Sequence, residues 1–312
     1  MNQLETIRNK RIGFSVLNWG LGHVTRCVSI IDQLQNQSNE IFVFCDIEQK
    51  AIFEQYVNDI EFIDHKGYPF RFRGKGNFKR DLFRSLISLY SYSKIERDFS
   101  EKSVKRLGLD LLISDQRYGF FSSKVPSIFI THQVNFPLRG AYRIFNLVNK
   151  YQISKFDRIW VMDNEQNLAG LLSNGHDLKN STQIGHHSRF LLKKNINLKQ
   201  INSTLVINGP ATYSRYLIQY FMDQLKSNHI EYVVGGEHVK ILLERIETRA
   251  VFIPNTNMSK ADEVLCMSNE ICGYFGYSTL MDCKVLNCSF NLIPTPGQSE
   301  QIYLAELHKK SP

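Results

Sequence analysis

No stretch of this 312-residue chain approaches the ~18 consecutive apolar residues that cross a bilayer. The opening "MNQLETIRNKR" is polar and lacks the apolar core of a secretory signal, so a cytoplasmic protein is the expectation. The six cysteines, Cys27, Cys45, Cys266, Cys272, Cys283 and Cys288, include no CxxC pair and no neighbouring histidine at zinc-ligand spacing. Buried free thiols are expected, and structural zinc, disulfides and redox chemistry are poor readings. Short-period repeats and low-complexity tracts are absent, as is any RNA-binding signature, so no nucleic-acid partner is expected.

What is present is a length that suits two domains, at about 150 residues each, and a formal charge of +8 that favours anionic partners. From residue 11, short β-rich runs ("RIGFSVL", "EIFVFC", "DLLIS", "VPSIFI", "DRIWVM") alternate with segments of helical length. After the polar interval "LLKKNINLKQIN" the alternation restarts with "STLVING", "HIEYVVG", "RAVFIP", "EICGYF" and "CSFNLIP". This is the βαβ pattern of mostly parallel sheets. It predicts an α/β chain of two Rossmann-like domains, 1–195 and 196–312, facing a central cleft. One segment departs from it: Phe70 to Ile95 opens as a basic, aromatic loop and continues as a helix. Arg71, Arg73, Lys75, Lys79, Arg80 and Arg84 flank Phe70, Phe72, Phe78 and Phe83, a mix that suits either a solvated flap or peripheral contact with an acidic membrane surface.

The stretch "NWGLGHVTR" lies at a strand-to-helix turn, where glycine permits a sharp bend and helix-start amides attract anions. Gly20 and Gly22 match the first two positions of a dinucleotide fingerprint, with Asp46 where the ribose-binding acid would stand, but the third position is Thr25. An NAD-dependent oxidoreductase is therefore one reading. His23 favours another, because deprotonating a hydroxyl needs a base and dinucleotide turns do not. Asp115 closes a predicted strand of the same half, where it would orient and polarise His23; its alternative is a loop carboxylate accepting backbone hydrogen bonds. Arg117, Tyr118, His132 and Arg143 follow strands of this half and are candidates for the acceptor side. His186 and His187 suit a structural role near the domain junction rather than a metal site.

In the second half, Gly209 follows a strand and precedes a helix, which suits phosphate approach or a plain βα turn. "GYSTLMD" places Gly276, Ser278 and Thr279 at a helix start, with Asp282 one turn on, able to hold a ribose diol. "IPTPGQSEQ" is a tight turn before a helix, and its Glu300 and Gln301 suit sugar hydroxyls, although Glu300 is also a good first-turn helix residue.

Taken in order, "WGLGHVTR", "ISDQRYG", "SIFITHQ", "GHHSRF", "NGP", "GYSTLMD" and "IPTPGQSEQ" resemble the motifs of the inverting glycosyltransferases of the GT-B fold. The likeness is nearest to the group of the bacterial N-acetylglucosaminyltransferase of lipid II synthesis. The resemblance implies a nucleotide-sugar donor, with UDP the expected nucleotide, and a glycan or lipid-linked acceptor. It implies Asp282 on the ribose, Gly276 to Thr279 near the diphosphate, Glu300 and Gln301 on the donor sugar, and His23 as base assisted by Asp115. No metal or other cofactor is expected. The chain departs from the family pattern at Tyr274 and Phe275, where relatives carry Arg-Ser, and it ends at Pro312, soon after the last motif. Those departures raise the alternative of a catalytically weak nucleotide-sugar-binding protein.

Overall fold

The computed structural model describes residues 3–70, 78–137, 144–175, 178–193, 199–209 and 211–309, with the backbone alone at 3, 78–83, 86–87 and 211. The chain divides between His187 and Ser188 into two units, each built on a wholly parallel sheet.

In the first unit, β1 (Arg11–Val16), β2 (Glu40–Cys45), β3 (Glu61–Asp64), β4 (Leu111–Asp115), β5 (Ser127–Thr131), β6 (Arg158–Val161) and β7 (Ser181–Gln183) form a seven-stranded sheet. Their spatial order is β3-β2-β1-β4-β5-β6-β7. Helices α1 (Leu21–Gln35), α2 (Ile47–Phe53), α3 (Phe78–Leu107) and α4 (Ile144–Ile153) supply the crossovers. The central strands are buried along nearly their whole length, which explains why they read as continuous apolar runs rather than alternating ones. Gly13 in β1 is a packing requirement, since a Cβ there would lie 2.8 Å from Leu112 and 2.9 Å from Leu109.

The second unit holds β8 (Ile201–Ile207), β9 (Ile230–Gly235), β10 (Val251–Pro254), β11 (Ser268–Tyr274) and β12 (Ser289–Ile293), ordered β10-β9-β8-β11-β12. Its helices are α5 (Ala211–Tyr220), α6 (Met222–Lys226), α7 (Glu237–Leu243), α8 (Met258–Met267), α9 (Tyr277–Leu286) and α10 (Ser299–Leu307).

In both units the strand order reverses beside the first strand of the sheet, between β1 and β4 and between β8 and β11. Such switch points, at the carboxyl ends of parallel strands, are where open α/β sheets bind ligands. Every strand expected from the sequence is present. Two were not expected, β3 and β7, and both are short edge or near-edge strands with half-exposed polar residues. The helix expected within Phe70 to Ile95 runs on to Leu107. No helix among the described residues is long and apolar enough to cross a membrane.

Candidate active site

The first constellation grows from the switch point of the first sheet. Val16 at the end of β1 pairs with Asp115 at the end of β4. The backbone joins them again beyond the strands, where Leu17 N–H donates to the Asp115 carbonyl at 3.1 Å. The loop after β1 is held from α2 by the Gln49 amide, which donates to the Leu17 carbonyl at 3.1 Å. The chain then turns into α1 through Gly20, whose φ of +95° is open to glycine at little cost. Gly20 brings no side-chain cap to the helix start, and Gly22 lies in its first turn.

His23 on that first turn meets Asp115, with Nδ1 2.6 Å from Oδ2. At this separation from an ionised carboxylate the proton belongs on Nδ1, which leaves Nε2 as the lone-pair acceptor. Asp115 is fully buried, whereas the His23 side chain keeps 14% of its surface exposed. Burial, together with the Arg26 guanidinium, pulls the His23 pKa below its usual 6.5, against the opposing pull of Asp115. Burial alone would raise Asp115, but Arg26 and His23 outweigh it and hold the carboxyl below its usual value. A neutral imidazole oriented by an ionised aspartate is the arrangement of a general base.

Two further residues complete the cluster. Arg26, one turn after His23, donates from Nη2 to Asp115 Oδ1 at 2.5 Å and from Nη1 to His132 Nδ1 at 3.0 Å. Its Nη2 also lies 2.8 Å from His23 Nδ1. His132, just beyond β5, is buried, and the intervening Gln116 takes a left-handed φ of +54° directly after Asp115. The sequence places His132 on the acceptor side, whereas Arg26, three residues after His23 on the same helix, carries no local mark that sets it apart from a solvated cation.

Arg117 and Tyr118 turn away from this cluster. Arg117 is completely buried; its Nε donates to Glu96 Oε1 at 2.5 Å and its Nη2 to the Lys66 carbonyl at 2.7 Å. A guanidinium so committed has no surface to offer an acceptor, which corrects its expected place. The Tyr118 hydroxyl donates to Asn149 Oδ1 at 2.7 Å, and its ring packs on a core cluster around Phe129. Arg143 lies outside the described residues, as do Arg71, Phe72, Arg73 and Lys75 and the side chains of Phe78, Lys79, Arg80 and Phe83. Of the remainder of that basic, aromatic segment, Phe70 packs its ring on Trp19 at 4.5 Å, while Arg84 is exposed.

Asp46 does not act as the expected ribose acid. It caps α2, accepting from Gln49 N–H at 2.9 Å, while Gln49 Oε1 accepts from Asp46 N–H at 3.3 Å. This capping box uses the carboxylate for the helix. His186 contacts Asp163 at 3.2 Å, and His187 contacts Ser29 and the Ile184 carbonyl, with burial lowering its pKa to about 4. Among the described residues no group of three or more His, Cys, Asp or Glu is arranged to hold a metal ion.

The second constellation sits at the switch point of the second sheet. Gly209 follows β8 with a φ of +102°, and among the described residues, its chain neighbours aside, no atom lies within 4 Å of where a Cβ would stand. Gly276 follows β11 and begins α9 without a side-chain cap, so the first turn, with Ser278 and Thr279, presents a helix N-terminus. Asp282 is already engaged: it accepts from Ser188 Oγ at 2.5 Å and from Arg189 Nη1 at 2.9 Å. Burial raises its pKa despite both partners. Arg189 also donates from Nε to the buried Asp262 at 2.6 Å, so one guanidinium joins two carboxylates. Nothing in the sequence order marked Arg189 and Asp262 as partners, because they are brought together only by the fold.

Gln301 Oε1 accepts from Thr295 N–H at 2.7 Å and so closes the Pro-Thr-Pro-Gly turn, while Glu300 lies half-buried in the first turn of α10. Tyr274 and Phe275 are core residues: the Tyr274 hydroxyl donates to the Tyr213 carbonyl at 2.7 Å, and Phe275 is 3% exposed.

No protein-family model matches the chain, and no curated protein matches it in sequence. Solved structures do match it in three dimensions. UGT89C1 of Arabidopsis thaliana, complexed with UDP-L-rhamnose, superposes with a TM-score of 0.64 at 9% identity, covering 97% of this chain and 83% of that one. The spinosyn rhamnosyltransferase SpnG, complexed with thymidine diphosphate, gives 0.61 at 10% identity over 95% and 84%. MurG of Acinetobacter baumannii gives 0.52 at 12% identity over 95% and 82%. Together with the two parallel sheets, these likenesses show that the chain has the two-domain α/β fold of the GT-B glycosyltransferases.

Proposed function

We propose that the chain is an inverting glycosyltransferase, moving a hexose-type sugar from a UDP-linked donor to the hydroxyl of a glycan or lipid-linked acceptor. The observation that carries this reading is the His23–Asp115 pair at the switch point of the first sheet, 2.6 Å apart with the histidine held below its usual pKa. In the reaction, the acceptor oxygen attacks the anomeric carbon while its proton passes to His23 Nε2. The bond from that carbon to the diphosphate oxygen breaks, and UDP departs with the electron pair. The imidazolium that forms is stabilised by Asp115.

The second unit would bind the donor, with diphosphate at the turns of Gly209 and Gly276 to Thr279, where amides and a helix N-terminus meet developing negative charge. Gly20 and Gly22 would add amides from the first unit. Glu300 and Gln301 are the candidates for the donor sugar, Asp282 for the ribose and His132 for the acceptor. This scheme draws its stabilising charge from the protein itself and calls for no divalent ion. Thymidine diphosphate and UDP-L-rhamnose in structures of similar fold support a nucleoside diphosphate donor, and the choice of UDP follows the motif resemblance.

Replacing His23 by Ala is expected to lower turnover about 100-fold or more, leaving UDP binding nearly intact. Wild-type turnover in that variant would remove His23 as base. A second reading, a nucleotide-sugar-binding protein with little turnover, is raised by Tyr274 and Phe275, core residues that stand where the family pattern has Arg-Ser. UDP titration beside a transfer assay separates the two, since binding with no transfer or hydrolysis across acceptors supports the second. Contact of Phe70 to Ile95 with an acidic membrane surface would suit a lipid-linked acceptor and rests on the charge pattern of that segment.

A further inference from the structure

Asp115 is wholly buried, and a buried carboxylate needs either a proton or a countercharge. Two side chains compete to supply the charge. One is His23, which could take up a proton and form an ion pair. The other is Arg26, 2% exposed and bonded to Oδ1 at 2.5 Å, whose guanidinium stays protonated at every working pH.

Because the arginine has taken the role, a proton added to His23 would leave two cations facing one carboxylate, with Arg26 Nη2 only 2.8 Å from the ring nitrogen. In a low-dielectric setting that juxtaposition is costly. Asp115 and Arg26 make opposite demands on Nδ1, a proton for the carboxylate and a lone pair for the guanidinium. With the proton on Nδ1 and shared with Asp115, Nε2 is the acceptor and the guanidinium acts on the ring through its charge rather than through a second hydrogen bond.

Other features show that the guanidinium is built in rather than incidental. His132 Nδ1 accepts from Nη1 at 3.0 Å and fixes the plane of the fork. Arg26 Nε is buried with no hydrogen-bond partner among the described residues, so the side chain is placed for what its two Nη atoms reach, at the expense of an unsatisfied N–H. The charged and titratable groups acting on the His23 ring are Arg26 from its own helix, Asp115 from β4 and His132 beyond β5. The Cys27 thiol faces the same Asp115 and Arg26.

We propose that Arg26 is a positioning residue that neutralises Asp115 in place of His23, so that the aspartate orients the imidazole without holding a proton on it. The proposal rests on the reading of His23 as base. Without the arginine, the aspartate would raise the proton affinity of the ring against burial alone, and more of the base would be protonated before any acceptor arrives. With the arginine, the ring stays neutral and oriented, and it accepts its proton only as the acceptor oxygen loses it.

The test is an NMR titration of histidine ring resonances in the full chain, with His23 assigned by its disappearance in His23→Ala. In Arg26→Gln the His23 midpoint is expected to move up by about 1 pH unit or more, and the acid limb of kcat/KM with it. Arg26→Lys keeps the charge and is expected to titrate near the wild type. An unmoved midpoint in Arg26→Gln, or an equal rise in Arg26→Lys, overturns the proposal.

If Arg26→Gln does not fold, Arg26→Met, which keeps an unbranched side chain without the charge, reads the same field. The His23 midpoint should again rise above the wild type, and one that holds or falls overturns the proposal. The titration needs no turnover, so the two failures are distinguishable. Wild-type turnover in His23→Ala defeats the base reading, whereas an unmoved midpoint defeats only the role of Arg26.

Discussion

At the scale of single residues, the protonation state of His23 sets a pH signature for the whole molecule. A base works only when neutral, so activity is lost as pH falls through its pKa. Burial and Arg26 place that pKa below 6.5, and Asp115 offsets them only in part. The acid limb of kcat/KM, which reports the free enzyme, is therefore expected below 6.5 in the wild type. A limb at or above 6.5 that vanishes in a His23 variant would show that Asp115 outweighs Arg26, contrary to the cluster described above. His23 and Asp115 were legible in the sequence because each follows an apolar strand run and both residue types have a chemical reason to meet. Arg26 was not, since an arginine in a helical segment reads as a solvated cation until the fold brings a buried carboxylate to it. Asp282 taught the opposite lesson. Its place one turn into α9 was correctly read, yet its engagement with Arg189 depends on a contact 93 residues away in the chain.

At the scale of elements, strands were readable where they are buried and unreadable where they are not. β1, β2, β4 and β5 carry unbroken apolar runs, whereas β3 ("EFID") and β7 ("STQ") are half-exposed and too short to show a period. The long helix α3 is tied to the turn after β4 by a contact that no local pattern announces. Glu96 on α3 is buried and accepts from Arg117 Nε at 2.5 Å, the Tyr68 hydroxyl at 2.6 Å and Gly119 N–H at 3.1 Å. His65 lies against the same pair, with burial and then Arg117 lowering its pKa to about 2, so it stays neutral and adds no charge. Removing one partner of a buried ion pair strands the other in a medium that cannot solvate it. Glu96→Gln is therefore expected to cost about 3–5 kcal/mol of unfolding free energy by urea denaturation. Replacing Arg117 by Met in the same background should recover part of that loss, because it removes the stranded charge. A loss below about 1 kcal/mol in the single variant would mean that the pair contributes little to joining α3 to the sheet.

At the scale of the whole molecule, the two sheets share one device: a glycine turn at the switch point, leading into a helix whose start lacks a side-chain cap. Both turns read from the sequence as places for a phosphate, and the first is also compatible with a dinucleotide. The fold separates these readings through Asp46, whose carboxylate closes a capping box on α2 and accepts from Gln49 N–H. Binding of NAD in the first unit would have to take this acid from its helix, at a cost of about 1 kcal/mol for the lost cap. A nucleotide diphosphate at Gly209 and Gly276 meets amides with no competing side-chain cap at α9. Ligand that binds only the native state stabilises it by about 2.7 kcal/mol at a hundredfold excess over Kd. For a chain of this size that corresponds to a rise of several degrees in Tm. UDP is thus expected to raise Tm and to slow amide exchange at Gly209 and Gly276 to Thr279, with NAD doing neither. A rise with NAD alone, or protection by UDP confined to residues 20–22, would move nucleotide binding to the first unit and undo the assignment of the donor to the second.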